Sequence, residues 1–158
     1  MCFIKMKEKP FAIPENCKTA FGVNATIYFA SDDLAVKMPS CWPMESIRKD
    51  YLFHKALANN GYSYNVPELY CFGAAMKDKE VRESIFMGHI HGNSLDVCFD
   101  CRYSVEDMMS EAGEISKSIK SKLHIGVRPT YGLKNKNVMW DRENERVVLI
   151  DFGQWIYL

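Results

Sequence analysis

Short runs of apolar residues alternate with polar turns along the first half of the chain. Residues 26–30 (TIYFA) and 34–38 (LAVKM) are rich in β-branched or aromatic side chains, and three polar residues separate them. Residues 66–75 and 82–90 repeat the arrangement on either side of a charged stretch at 77–80. Pairs of such runs around a polar turn are typical of antiparallel strands. The pattern therefore predicts two β-hairpins.

In two segments the apolar residues recur with a helical period instead of alternating with polar residues. From 44 to 59 the apolar positions recur at intervals of three and four residues, and Gly61 is a plausible stop. The same spacing continues through 104–124, where Ser104 and Asp107 form an approximate capping box. The sequence predicts one helix in each segment.

A third hairpin is predicted near the end of the chain. Residues 137–141 (NVMWD) and 146–151 (RVVLID) are apolar, and the polar residues 142–145 join them. The order along the chain is thus strands, helix, strands, helix and hairpin. This order predicts an α+β fold.

Composition narrows the class of protein. A chain of 158 residues fits a single domain, 1–158, and 47% apolar with 25% charged residues is an ordinary globular balance. Lys plus Arg equals Asp plus Glu at 20 each, so the basic excess that nucleic-acid binding favours is missing. No apolar run approaches the ~20 residues that a membrane span needs. We expect no nucleic-acid partner and no membrane.

Cysteine usage bears on the compartment. The six cysteines have no framework spacing, and the N-terminus lacks the pattern of an export signal. Reduced thiols in a cytoplasm are therefore expected.

The terminal hairpin carries the clearest candidate chemistry. Asn137 and Asp151 lie fourteen residues apart, at the facing ends of the two predicted strands. Amide and carboxylate oxygens are hard ligands of the kind that Mg²⁺ takes when it bridges phosphates. The alternative is a surface hairpin in which Asp151 only caps a turn with Gly153.

Five motifs follow one another along the chain. They are LAVK at 34–37, a helix containing Asp50 followed by VPELY, IFMGHIHG at 85–92, LKNKN at 133–137 and LIDFG at 149–153. Their order and spacing resemble the protein-kinase-like fold, which includes aminoglycoside and choline phosphotransferases. In size the chain is most similar to the very small effector kinases that bacterial pathogens inject into host cells. The resemblance covers roughly residues 18 to 153.

The resemblance implies a minimal two-lobed architecture. An N-lobe of about 1–88 would hold an antiparallel sheet and one helix, and a hinge of about 88–92 would follow. A reduced, mostly helical C-lobe of about 93–158 would begin with a short helix at 93–100. In the hinge, backbone groups of Gly88, His89 and Ile90 would pair with adenine.

The resemblance also assigns roles around the phosphates. Lys37 would contact the α- and β-phosphates of ATP, and Gly22 would lie in the loop that covers them. A carboxylate on the first helix would position Lys37, and both Asp50 and Glu45 are candidates. Asn137 and Asp151 would hold Mg²⁺.

The catalytic loop departs from the family pattern. Leu133, Lys134 and Asn137 match, which puts Gly132 where the catalytic Asp should be. Lys134 would still meet the γ-phosphate, but no base would accept the substrate proton. Losing general-base help costs ~10²–10⁴ in rate. Only five residues follow Gly153, so the usual surface for a peptide substrate is also not expected.

These observations predict an ATP- and Mg²⁺-binding protein in a cytoplasm, or delivered into a host cytoplasm if it is an effector. It would be an atypical Ser/Thr-type phosphotransferase, or a pseudokinase, acting on a host or partner protein. The apolar residues 155–158 are expected to pack within the monomer or to form a homodimer surface.

A binding module is the alternative class. His89, His91, Cys98 and Cys101 form H-x-H followed by C-x-x-C, and all four side chains can ligate zinc. A structural zinc site would then stabilise a non-catalytic, protein-binding adaptor.

Overall fold

A computed structural model of the chain describes residues 9–22, 24–40, 45–97 and 103–158. They form an α+β structure with two α-helices and a mixed, mainly antiparallel sheet. The described residues fall into two compact units. The first unit takes the chain up to Tyr51 together with Leu69–His89, and the second takes Leu52–Glu68 and Ile90–Leu158.

The first unit is built on a six-stranded sheet. Its strands are β1 (Phe11–Ala12), β2 (Lys18–Phe21), β3 (Ala25–Phe29), β4 (Leu34–Pro39), β5 (Leu69–Lys77) and β6 (Glu80–Gly88), in the order β1-β5-β6-β4-β3-β2. Every pair is antiparallel except β1 with β5. Both predicted hairpins are confirmed as β3–β4 and β5–β6. The edge strands β1 and β2 were not predicted.

Different segments cover the two faces of this sheet. Ala35 and Ile85 point to one face and pack with Ile47 of helix α1 (Glu45–Leu57). Val36 and Phe86, their neighbours in sequence, point to the other face and form a separate apolar cluster. Because side chains alternate along a strand, each strand contributes to both layers.

Residues 13–17, here called the strap, cover the second face as they connect β1 to β2. Ile13 is buried in the apolar cluster, and its N–H donates to the carbonyl of Met76. Lys77 Nζ donates to the carbonyls of Pro14 at 3.1 Å and Glu15 at 3.2 Å. The strap is therefore fixed by both apolar burial and hydrogen bonds.

Helix α1 corresponds to the first predicted helix. The expected start at Met44 lies outside the described residues. The regular helix ends at Leu57, two residues before the predicted end, and continues irregularly through Ala58–Tyr62. Gly61, the expected stop, adopts φ 90°, a conformation that glycine adopts without steric cost.

The second unit contains one long helix and two small sheets. Helix α2 spans Val105–Leu123, and the strands are β7 (Gly92–Ser94), β8 (Ile125–Val127), β9 (Val138–Asp141), β10 (Arg146–Leu149) and β11 (Trp155–Tyr157). The sheets have the orders β10-β9-β7 and β11-β8. The predicted helix and the β9–β10 hairpin are confirmed. Ser104 Oγ accepts from the N–H of Asp107 at 3.0 Å, as the capping box predicted.

The short helix predicted at 93–100 is wrong for its described part, residues 93–97. Asn93 and Ser94 lie in β7, opposite Trp140 and Met139 of β9, and a turn follows. At Gly92 the two backbones approach so closely that an added Cβ would lie 1.7 Å from the Trp140 carbonyl oxygen. Glycine permits this approach, so the chain joins the sheet instead of turning into a helix.

The end of the chain packs partly within the second unit. Trp155 is buried and contacts Phe152, with ring centroids 5.4 Å apart. Tyr157 and Leu158 are 78% and 48% exposed. Trp155 therefore packs within the monomer, and a homodimer surface formed by the end of the chain stays a prediction. In the described part of the chain, no helix is long and apolar enough to cross a membrane.

Candidate functional site

A buried ion pair joins β4 to α1 in the first unit. Lys37 Nζ contacts Asp50 Oδ2, and the two side chains are only 12% and 5% exposed. Glu45 at the start of α1 is exposed. The structure therefore resolves the alternatives that the sequence left open, because the carboxylate that meets Lys37 belongs to Asp50.

Packing of α1 on the sheet positions Asp50. Ile47, one turn earlier, is buried against Ala35 and Ile85. Tyr51 stacks on Phe72 of β5, with ring centroids 4.9 Å apart and an interplanar angle of 29°. Residues spaced three or four apart share a helix face, so burial of Ile47 turns Asp50 toward the sheet.

Gly22 lies in the turn between β2 and β3. Its N–H donates to the carbonyl of Ala25 at 2.8 Å. The neighbouring Val23 lies outside the described residues. A role of Gly22 over phosphates stays a prediction.

The predicted hinge residues already use part of their backbone hydrogen-bonding capacity. Gly88 ends β6 opposite Leu34, and the N–H of His89 donates to the carbonyl of Asp33 at 3.1 Å. The carbonyl of Ile90 accepts from the N–H of Gly92 at 3.0 Å. The His89 ring lies on Phe29, with centroids 4.5 Å apart. Any contact with adenine would use the remaining groups of this segment.

Asn137 and Asp151 lie beside each other in the second unit. Val138 pairs with Leu149 at the end of the β9–β10 ladder, and the N–H of Ile150 donates to the carbonyl of Asn137 at 2.9 Å. Asn137 is half-buried and Asp151 is exposed. The hairpin thus brings these two residues to one end of the sheet, as the sequence predicted.

The backbone of Asp151 is unusual. Its φ of 61° and ψ of 77° place it in the left-handed region of the backbone, which residues other than glycine rarely adopt. Its neighbour Phe152 is buried, with its ring 5.2 Å from that of His54, whose Nε2 lies 2.7 Å from the Pro67 carbonyl. The buried Phe152 holds the chain in the conformation that leaves Asp151 exposed.

The loop before Asn137 contains Gly132, which the resemblance to kinases aligns with the catalytic Asp of that family. Gly132 is exposed at φ 60°, and no atom lies within 4 Å of an added Cβ. Its N–H donates to the carbonyl of Arg128 at 3.2 Å. Lys134 is exposed, with Nζ 5.8 Å from the ring centre of Tyr131.

Sequence reasoning missed the residue that anchors this loop. The N–H of buried Leu95 lies 2.9 Å from the carbonyl of Val138 and 3.2 Å from that of Asn135. These contacts fix the turn Asn135–Asn137 against the end of β7. The sequence carried no clear signal for it, because strand β7, which positions Leu95, was not predicted.

A second missed residue is Asp141, whose buried carboxylate stabilises the β9–β10 turn. Burial alone would raise its pKa, but hydrogen bonds from Arg146 and Asn144 outweigh burial and hold the pKa below 3.8. The Arg146 Nε lies 2.8 Å from Asp141 Oδ2. This carboxylate therefore has a structural role.

The zinc prediction is not tested. Cys98 and Cys101 lie outside the described residues. Within the described ranges, no group of three or more His, Cys, Asp or Glu side chains is arranged to hold a metal ion. A zinc site formed by His89, His91 and the two cysteines stays a prediction.

Comparison with known proteins assigns no family. No protein-family model matches this sequence. A comparison with curated proteins found no significant match. The likeness to kinases therefore rests on the motifs and on the local geometry described above.

Proposed function

We propose that the chain binds ATP together with Mg²⁺ as a minimal, two-lobed protein-kinase-like protein. The first unit would correspond to the N-terminal lobe of that family and the second unit to a reduced C-terminal lobe. The observation that carries this proposal is the buried ion pair between Lys37 and Asp50.

A buried ion pair is a poor device for stability alone. Taking two charges out of water costs several kcal/mol per ion, and apolar residues of similar size are often as stabilising. A lysine on a strand also normally extends its ammonium group into water. Lys37 is instead held by Asp50 in one orientation. A lysine fixed in this way suits contact with phosphate oxygens.

Asn137 and Asp151 fit a magnesium ion by their chemistry. Both offer oxygen donors, and Mg²⁺ bound to a nucleotide usually takes only one or two carboxylates besides phosphates and water. Strained backbone such as that of Asp151 concentrates at functional sites. The bound ion would neutralise charge on the phosphate oxygens.

Phosphoryl transfer should be weak or lost. Gly132 supplies no base, which removes ~10²–10⁴ in rate. Lys134 retains a cation for the γ-phosphate, and phosphoryl transfer depends mainly on positioning and electrostatics. We therefore favour a pseudokinase acting on a partner protein in a cytoplasm, with slow Ser/Thr-type transfer as the catalytic alternative.

Thermal unfolding with and without ATP and Mg²⁺ tests nucleotide binding. Nucleotide at tenfold its dissociation constant should raise the melting temperature by ~3–5 °C, because ligands that bind only the folded state stabilise it. Lys37→Ala and Asp151→Ala should reduce this shift, while the surface variant Lys18→Ala should retain it in full. Absence of a shift at millimolar ATP would refute the proposal.

Transfer is measured separately from binding. The protein is incubated with radiolabelled ATP and a cell lysate, and incorporation of label is compared with that of Asp151→Ala. Label that depends on Asp151 assigns a slow kinase. Nucleotide binding without such label assigns a pseudokinase.

A further inference from the structure

One stretch of the second unit is strongly basic within a neutral chain. Residues 115–140 contain six Lys or Arg residues and no Asp or Glu, so the rest of the chain has a formal charge of −6. Lys120 and Lys122 lie in the last turn of α2, where the helix dipole stabilises cations. Lys117 lies earlier on α2 and pairs with Glu114. The other three have no such structural explanation.

The other three basic residues, Arg128, Lys134 and Lys136, lie within residues 128–136, here called the basic loop. The N–H groups of Tyr131 and Gly132 both donate to the carbonyl of Arg128, at 2.9 Å and 3.2 Å. The N–H of Asn137 donates to the carbonyl of Lys134 at 2.8 Å. Two consecutive tight turns therefore hold Arg128, Lys134 and Lys136 in one short segment.

The charges of the basic loop are not compensated locally. Among the residues that the structure describes, no carboxylate lies within 4.0 Å of Arg128, Lys134 or Lys136. Elsewhere Arg48 pairs with Glu83, and Arg146 pairs with Asp141. Lys134 and Lys136 are exposed, and Tyr131 between the cations is also exposed.

We propose that the basic loop binds an acidic segment of a partner protein. Three uncompensated cations can pair with a short run of Asp or Glu. The Tyr131 ring offers apolar contact to the backbone and the side-chain carbon atoms of that acidic segment. Lys134 is also assigned to the γ-phosphate under the proposed function, but Arg128 and Lys136 have no part in the proposed nucleotide chemistry, so these two can bind an acidic segment when no ATP is present.

The distribution of charge along the chain favours a short acidic peptide over nucleic acid. Acidic residues flank the basic stretch on both sides in the sequence. On α2 they are Glu106, Asp107, Glu111 and Glu114, and in the β9–β10 turn they are Glu143 and Glu145. The basic stretch is therefore short, and the whole chain has a formal net charge of zero instead of the basic excess that nucleic-acid binding favours. A few carboxylates match the three cations of the loop.

Fluorescence anisotropy without nucleotide tests the proposal. The probes are a labelled peptide with a central run of Asp and Glu, its Asn/Gln counterpart, and a single-stranded oligonucleotide of equal length. The acidic peptide should bind ~10-fold or more tightly than its neutral counterpart, and salt should weaken its binding. Tighter binding of the oligonucleotide would overturn the proposal in favour of nucleic acid.

Two double variants with the same change in net charge locate the site. Arg128→Glu/Lys136→Glu should weaken binding of the acidic peptide ~10-fold or more, whereas Lys9→Glu/Lys18→Glu should change it less than about twofold. Equal weakening by both would mean a non-specific effect of net charge and would refute the loop. Should the first variant unfold, Arg128→Gln/Lys136→Gln is measured against Lys9→Gln/Lys18→Gln with the same expectation.

Discussion

Two buried carboxylates, Asp50 and Asp141, are expected to have different roles. Asp50 and Asp141 are both almost fully buried, and each contacts a cation. Arg146 also donates to the carbonyl of Tyr64, so the pair at Asp141 belongs to a network that ties a turn to a hairpin. The Lys37–Asp50 pair connects a strand to a helix. We expect the Arg146–Asp141 pair to be structural and the Lys37–Asp50 pair to be functional.

The Lys37–Asp50 pair should be costly to break and easy to replace. Asp50→Ala leaves the Lys37 ammonium buried without its carboxylate and should lower the free energy of unfolding by about 3–5 kcal/mol. The double variant Lys37→Met/Asp50→Leu should recover most of that loss while losing nucleotide binding. Urea unfolding of both variants measures the difference. A double variant no more stable than Asp50→Ala would contradict this account.

Asp141 should make the protein sensitive to acid. Its pKa is lowered in the folded state, so its contribution is fully present well above 3.8 and is lost as pH falls through the folded value. Asp141→Asn should cost about 2 kcal/mol at pH 7, and its difference from the wild type should shrink below pH 3.8.

Urea unfolding from pH 7 down to pH 3 measures this difference. Glu143→Gln, in the same turn but exposed, serves as the matched control and should behave like the wild type. A gap between Asp141→Asn and the wild type that stayed constant with pH would show that hydrogen bonding of the ionised form is not its cause.

At the scale of elements, the sequence predicted what local pattern determines. The β3–β4, β5–β6 and β9–β10 hairpins and both helices follow from the periods of their apolar residues. Strands β1, β7, β8 and β11 are two or three residues long, too short for any period. They exist because partners such as β5 and β9 offer backbone groups, which is tertiary information.

The positions of some candidate residues follow from local sequence pattern, and those of others depend on tertiary packing. The meeting of Asn137 and Asp151 follows from hairpin register, so the sequence could predict it. The choice of Asp50 over Glu45 depends on which face of α1 packs on the sheet. The position of Leu95 beside Asn135 depends on β7, which local pattern did not indicate.

The turn between β5 and β6 offers a test of the hairpin geometry. Asp78 and Lys79 adopt φ of 50° and 69°, and Lys77 pairs with Glu80 across the turn. Lys79→Gly should raise the free energy of unfolding by about 1 kcal/mol, because glycine avoids the left-handed penalty at some entropic cost. Lys79→Ala keeps the penalty and should give no gain. Equal stability of the two variants in urea would contradict the assigned turn.

The strap should contribute strongly to the stability of the first unit. Ile13→Ala removes a buried side chain between β1 and β2 and should cost about 2–4 kcal/mol. Glu15→Ala, in the same segment but exposed, should cost less than about 0.5 kcal/mol. Thermal unfolding compares the two. Similar costs would mean that the strap does not form part of the core.

At the scale of the whole molecule, the two units contribute different chemistry. The first unit holds a lysine fixed by a carboxylate, and the second holds an amide and a carboxylate side by side at the end of a hairpin. The proposed function assigns the lysine to phosphate oxygens and the amide and carboxylate to a metal ion, and it leaves the transfer step without a base at Gly132. We therefore expect nucleotide binding without efficient phosphoryl transfer.

Calorimetric titration of the intact chain with ATP, in Mg²⁺ and then in excess chelator, measures this binding. The wild type should bind ATP more tightly with Mg²⁺, and Asp151→Ala should lose that enhancement while keeping its metal-free affinity. Lys37→Ala should weaken binding under both conditions by ~10-fold or more. No binding at millimolar ATP, or an enhancement by Mg²⁺ that survives in Asp151→Ala, would contradict the account.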